Sequence, residues 1–255
     1  MFEISFIPAF KDNYIWLLCR DRQAVVVDPG DAAPVLARLA KDGLTLAGIL
    51  ITHHHADHQG GVGELTARAL SCPPVPVFAP ASESITGRTT PLDGGERLLL
   101  LGETVEALAV PGHTAGHLAY LAGDCLFCGD TLFGAGCGRL FEGTPGQMAA
   151  SLATIAALPP ATRIYCAHEY TEANLRFAAA VEPDNPAIAA RAARVAKLRR
   201  AGLPSVPSTL AEELATNPFL RCREPAVIEA ARQHGAPDQT AVAVFAALRG
   251  WRNGF

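Results

Sequence analysis

Short apolar runs cut off by Gly, Pro or Asp fill the first two-thirds of the chain. Phe2 to Ile7, Tyr14 to Cys19, Ala24 to Val27, Leu46 to Ile51, Val75 to Phe78, Arg97 to Leu101, Thr104 to Val110, Leu118 to Leu121 and Cys125 to Cys128 are apolar or alternate apolar with polar positions, and each is too short for a helix. That pattern predicts strands. Helical spacing over Ala33 to Lys41, Gly61 to Leu70 and Gln147 to Ala157 predicts helices between and after them, and Arg163 to Cys166 reads as a last strand.

After about residue 170 the pattern changes to helix without strands, in Ala-rich segments at 172–181, 187–201, 209–216, 224–233 and 238–249. The punctuation agrees. Asn185 before Pro186 is an N-cap followed by Pro at the first helical position, Gly202 and Pro204 stop that helix, and Thr209 with Glu212 has capping-box spacing. The chain thus reads as an α/β domain over residues 1–172 and a helical domain over residues 173–255, with no internal repeat and no low-complexity run.

Composition narrows the classes. With 255 residues, 49% hydrophobic and 18% charged, the chain can bury a full core without disulfides or a structural metal. A net charge of −4 leaves no footprint for nucleic acid or anionic lipid, so an anionic substrate needs a local basic pocket. The longest apolar stretches, such as Ala241 to Leu248, fall far short of the ~18 residues that span a bilayer. Seven cysteines without framework spacing point to reduced thiols, and the expectation is a cytoplasmic protein. Cys125 and Cys128 form a C-x-x-C, but residues three apart on a strand face opposite sides, which favours a buried core over a redox or zinc pair.

The chemistry gathers where strands end. Thr52-His-His-His-Ala-Asp-His58 follows an apolar strand and leads into a Gly-opened helix. On extended chain His53 and His55 project to one side, and a turn brings Asp57 and His58 back beside them. Imidazoles and a carboxylate at this spacing suit zinc, iron or manganese. Pro111-Gly-His-Thr-Ala-Gly-His117, Gly129-Asp130 and Ala167-His168-Glu169 also sit at strand ends, the edge where α/β sites assemble. Together these motifs supply histidines and two aspartates, enough donors for two metal ions.

These motifs resemble the metallo-β-lactamase superfamily with its H-x-H-x-D-H signature, and more narrowly the glyoxalase II, or hydroxyacylglutathione hydrolase, family. Phe10-Lys-Asp-Asn-Tyr-Ile15, Gly129-Asp-Thr-Leu-Phe133, Gly136-Cys-Gly138, Ala167-His-Glu-Tyr170, Glu182-Pro-Asp-Asn-Pro186 and Asn217-Pro-Phe219 carry the narrower resemblance, which spans essentially the whole chain. It implies a four-layer αβ/βα sandwich with a C-terminal helical domain and a binuclear centre of two divalent ions, zinc first, with iron or manganese as alternatives. By position, His53, His55 and His113 take one ion, Asp57, His58 and His168 the other, and Asp130 bridges them opposite a hydroxide. His54 and His117 fall outside this set, and His234 reads as a surface residue of a helix.

The resemblance further implies hydrolysis of S-D-lactoylglutathione to glutathione and D-lactate, a step in methylglyoxal detoxification, with Asp57 and Asp130 in the catalytic centre. Its substrate positions fall on Arg139, Phe141, Tyr170, Arg249 and Arg252, with Phe141 standing where Tyr is frequent and Arg139 and Arg252 where Lys is frequent. Arg249 is expected to end a helix, and Gly250 to leave it in a left-handed turn that swings Arg252 back toward the same anion. The implied partner is a small glutathione thioester acting on a monomer, with neither nucleic acid nor membrane. An iron-dependent persulfide dioxygenase on the same fold is the alternative; it needs one iron held by two His and one Asp, and the complete seven-ligand set argues against it.

Overall fold

The computed structural model describes residues 2–68 and 74–255. The last two positions of the helix expected over Gly61 to Leu70, and Cys72, lie outside the described residues. The chain divides into two compact units, Met1–Ala109 with Thr114–Gly129, and Val110–His113 with Asp130–Phe255.

The first unit is built on a sheet in the order β1 (Glu3–Ala9), β2 (Asn13–Arg20), β3 (Gln23–Val27), β4 (Thr45–Leu50), β5 (Val77–Pro80), β6 (Thr90–Leu92). The first three strands are antiparallel hairpins and the last three run parallel to β3. Side chains alternate between the faces. Ile15, Leu17, Val26, Ile49 and Ile51 join one buried cluster with Val35 and Leu39 of α1 (Ala32–Asp42) and Val62 and Leu65 of α3 (Val62–Arg68). Trp16, Leu18, Val25 and Val27 on the other face are buried too, so the strands read as continuous apolar runs because both faces are covered.

A second, antiparallel set in this unit runs β7 (Arg97–Leu100), β8 (Glu103–Ala109), β9 (Leu118–Ala122), β10 (Cys125–Gly129). The fully buried Tyr120 of β9 donates its hydroxyl to the Ile51 carbonyl at 2.7 Å, which satisfies the phenol and joins this ladder to the end of β4. Cys125 and Cys128 are buried, as the strand reading expects. The short helix α2 (Ala56–Gln59) follows β4 directly and carries Asp57 and His58.

The second unit holds the hairpin β11 (Leu132–Phe133) and β12 (Gly136–Cys137), helix α4 (Pro145–Ala156), strands β13 (Arg163–Cys166) and β14 (Ser208–Thr209), and helices α5 (Thr171–Val181), α6 (Pro186–Arg200), α7 (Leu210–Thr216), α8 (Pro225–Gln233) and α9 (Ala241–Asn253). Local signals set the helix ends. Thr144 and Gln147 form a complete capping box on α4, Asn185 accepts from Ala187 N on α6, and Thr209 accepts from Glu212 N on α7.

Two expectations for this region are corrected. Residues 173–255 are not purely helical, because β14 pairs antiparallel with β13, Ile164 opposite Ser208, a long-range pairing that a two-residue segment cannot announce. Nor does α9 stop at Arg249; it continues through Gly250 to Asn253. A helical glycine costs about 1 kcal/mol relative to alanine. Burial outweighs that cost here, since Trp251 packs edge-on to Phe177 and stacks on His234, the C-cap of α8, at 3.5 Å between ring centres.

Candidate metal centre

In the first unit the ligand motif leaves β4 and turns into α2. Thr52 anchors the exit: its N–H and hydroxyl donate to the two oxygens of Asp28 at 2.8 and 2.7 Å. His53 is fully buried, its Nε2 is 3.0 Å from Nδ1 of His55, and its ring centre lies 4.0 Å from that of His58. His58 spends Nδ1 on Asp28 at 3.0 Å and turns Nε2 toward Asp57 Oδ2 at 3.5 Å. Asn13, from the β1–β2 hairpin, donates to the same Asp57 oxygen at 2.9 Å. His53, His55, Asp57 and His58 are thus gathered in one place. His117 stacks on His53 at 4.7 Å, and Gly129, at φ 49°, packs so closely against Thr52 and His117 that a side chain there has no room.

The second unit gathers His113, Asp130 and His168. His113 Nε2 is 3.5 Å from Asp130 Oδ2, and His168 Nε2 is 3.3 Å from Asp130 Oδ1, so the two carboxylate oxygens face different imidazoles. The Arg139 carbonyl lies 2.9 Å from His113 Nδ1, which fixes that ring's tautomer and leaves Nε2 as the lone pair. His168 lies parallel to Tyr170 with centres 4.8 Å apart.

These donors fit divalent metal ions. A ligating histidine normally donates its second ring N–H to a carboxylate or carbonyl, which fixes its orientation and raises its basicity. His58 does so to Asp28 and His113 to Arg139, and in each the inward nitrogen faces a carboxylate. The sequence reading gave no role to Asp28, Asn13 and Glu83, which hold the candidate ligand segment in place. An Asp directly after the apolar run Ala24 to Val27 is a signal for the first; for Glu83 no local motif exists.

A cavity of about 430 Å³ in the second unit starts at His113 and Asp130 and is lined by Arg139, Phe141, Tyr170, Asn174, Arg249 and Arg252, with Phe133 and Cys137. Among these lining residues Asp130 is the acid, so the far wall is cationic. Burial, followed by the like charges of Arg249, Arg139 and Arg176, pushes the Arg252 guanidinium below its ordinary value. Arg252 donates to Asn174 Oδ1 at 3.3 Å and lies over Phe177. Arg249 is more deeply committed, donating to the Cys137 carbonyl at 3.0 Å and to Asn253 Oδ1 at 3.1 Å. Phe141 is 63% exposed and packs edge-on to His113.

Comparison with known proteins carries the assignment further. Family models described as the metallo-beta-lactamase superfamily and as the hydroxyacylglutathione hydrolase C-terminus match residues 10–168 and 169–255. A hydroxyacylglutathione hydrolase of Dechloromonas aromatica is 66% identical over the whole of both chains. The chain belongs to the hydroxyacylglutathione hydrolase family. Another hydroxyacylglutathione hydrolase, from Cupriavidus metallidurans, is 56% identical, again over both full lengths.

Membership makes the chain a metal-dependent hydrolase with the α/β fold of the metallo-β-lactamases and C-terminal helices, and it implies divalent metal ions as cofactors. Among solved structures, ETHE1 from Myxococcus xanthus matches with a TM-score of 0.65 and 27% identity over 86% of this chain and 84% of that one. TTHA1623 in a di-iron-bound form matches with a TM-score of 0.53 and 30% identity over 65% of this chain and 91% of that one. No helix among the described residues is long and apolar enough to cross a membrane.

Proposed function

We propose that this member of the family hydrolyses 2-hydroxyacyl thioesters of glutathione, S-D-lactoylglutathione foremost, to glutathione and D-lactate. The observation that best supports this reading is the cavity that runs from His113 and Asp130 to the arginines 139, 249 and 252. Glutathione carries two carboxylates, and a protein of net charge −4 meets them with placed cations. In a cell the activity belongs to methylglyoxal detoxification, carried out by a cytoplasmic monomer. In this reading residues 1–172 form the catalytic domain and residues 173–255 the substrate-binding domain.

His53, His55 and His113 would hold one ion, Asp57, His58 and His168 a second, with Asp130 shared; zinc is proposed, with iron or manganese accepted by the same donors. When bound, such ions bring the pKa of a coordinated water from 15.7 toward ~7 and polarise the carbonyl under attack. The chain's own residues do the rest. Arg139, Arg249 and Arg252 bind the peptide's carboxylates, Arg249 also holds the Cys137 carbonyl and with it the β11–β12 hairpin, and Tyr170 and Phe141 flank the thioester. The leaving thiolate is a weak base and departs without a proton donor. Release of free thiol from S-D-lactoylglutathione by the full-length, metal-loaded protein tests the reading. Protein that left this thioester intact while cleaving an unrelated ester would sink it.

A further inference from the structure

We propose that Glu83 is a positioning residue, a buried carboxylate that clasps the His53–His55 loop to the Thr114–Gly116 loop and so sets the affinity of the metal centre. The proposal rests on the reading that His53 and His55 ligate metal. Glu83 lies in the connection between β5 and β6, far in sequence from both loops, and is 8% exposed. Its two oxygens are divided between them. Oε2 accepts from the His54 main-chain N–H at 2.7 Å and from His54 Nδ1 at 3.0 Å, while Oε1 accepts from the Thr114 hydroxyl at 2.5 Å and from Gly116 N at 2.9 Å.

The His54 N–H belongs to the peptide plane that joins it to His53, so the first pair of bonds fixes the backbone between the two candidate ligands. The second pair fixes the loop that begins next to His113. Gly116 is pressed against Glu83, whose Cγ would stand 2.8 Å from a Cβ at that position, and only glycine allows this approach.

The Glu83 segment is held firmly in turn. Arg88 donates to the carbonyls of Pro80 and Glu83, at 2.5 and 2.6 Å. Gln59, next to His58, donates to the carbonyls of His54 and Ser84 and accepts from Thr86 N. A carboxylate with four donors and a braced backbone is an expensive arrangement for an ordinary surface turn. It is what a loop needs when its side chains must meet a metal ion in one geometry.

Glutamine keeps one acceptor oxygen and turns an amide N–H₂ toward the donors of the other loop, so Glu83→Gln opens the clasp on one side. The test uses full-length protein, stripped of metal and titrated with zinc alone against a chromophoric chelator. Glu83→Gln is expected to weaken zinc binding about 10- to 100-fold and to shrink the rise in melting temperature that zinc produces, with the metal-free melting point near that of wild type. Thr114→Val removes one arm and is expected to show a smaller loss of the same kind.

A carboxylate with a purely structural role would lower the melting points of metal-free and zinc-loaded protein equally and leave zinc affinity unchanged; that result overturns the proposal. If Glu83→Gln fails to fold, Thr114→Val decides, and wild-type zinc affinity in that variant overturns it as well. Zinc binding needs no substrate. Wild-type protein that binds zinc but leaves S-D-lactoylglutathione untouched would therefore sink the functional reading and leave this proposal standing.

Discussion

Asp130 divides its carboxylate between two histidines, Oδ2 toward His113 and Oδ1 toward His168. In the proposed centre a side chain placed so is shared by both ions. Asp130→Ala is therefore expected to lower occupancy of both metals together in a metal analysis; a variant that retained two equivalents with near-normal turnover would refute the sharing. Cys137 illustrates the opposite treatment of a reactive group. It lines the cavity, yet burial disfavours its thiolate and pushes the thiol up to about 11, while Cys166 and Cys222 rise to about 12 for the same reason. A raised thiol value means the neutral, unreactive form at pH 8. Iodoacetamide at that pH is expected to leave these three cysteines unmodified in the native protein, as read by peptide mass spectrometry, and to label them once the protein is denatured.

Helices α6 and α7 are joined through a buried ion pair, with Arg191 and Glu213 both shielded from solvent and Arg191 Nη2 2.5 Å from Glu213 Oε1. Glu213 also accepts from Ser208, Asn217 and Ala135 N, which ties α7 to β14 and to the turn between β11 and β12. Removing one partner of such a pair strands the other charge, at a cost of about 3–5 kcal/mol. Arg191→Met is expected to lose stability on that order in urea denaturation, and a loss below 1 kcal/mol would mean that Glu213's other donors suffice. Helix α9 presents Arg249 and Arg252 one turn apart, on the face that lines the cavity. A charge-assisted hydrogen bond contributes roughly 1.5–3 kcal/mol, or about 10- to 150-fold in affinity. In the proposed reading Arg252 holds a glutathione carboxylate, which takes no part in the reaction at the thioester, so the loss falls on ground and transition states alike. Arg252→Ala is expected to raise KM within that range at nearly constant kcat, whereas Arg249→Ala should also lower the melting temperature through its bond to the Cys137 carbonyl. A normal KM in Arg252→Ala would remove that residue from the substrate site.

Charge over the entire chain opposes an anionic substrate, since the net value is −4, while Arg139, Arg249 and Arg252 concentrate positive charge in one cavity. Local cations act within the Debye length of ≈ 8–10 Å at moderate ionic strength, so the cavity, not the net charge, governs the final approach. Raising salt should lower kcat/KM for the glutathione thioester, with a shallower dependence in Arg252→Ala. A rise with salt would show that net repulsion dominates.

What was readable from the chain alone is what local physics controls. Runs of apolar residues mark strands because burial on both faces demands it, and Asn185, Pro186 and Thr209 mark helix starts because caps act within one turn. The histidines and aspartates stood out because several fall within two short motifs, where spacing constrains geometry. Tertiary structure decided everything that depends on a distant partner. Asp28 reaches His58, Asn13 reaches Asp57, and Glu83 reaches Thr114 across long stretches of chain, and no periodicity records such pairings. The strand β14 exists because β13 offers it an edge, and α9 passes through Gly250 because the aromatic contacts of Trp251 outweigh a glycine's helix penalty. In both cases a contact made only in the folded chain decided what local propensity did not.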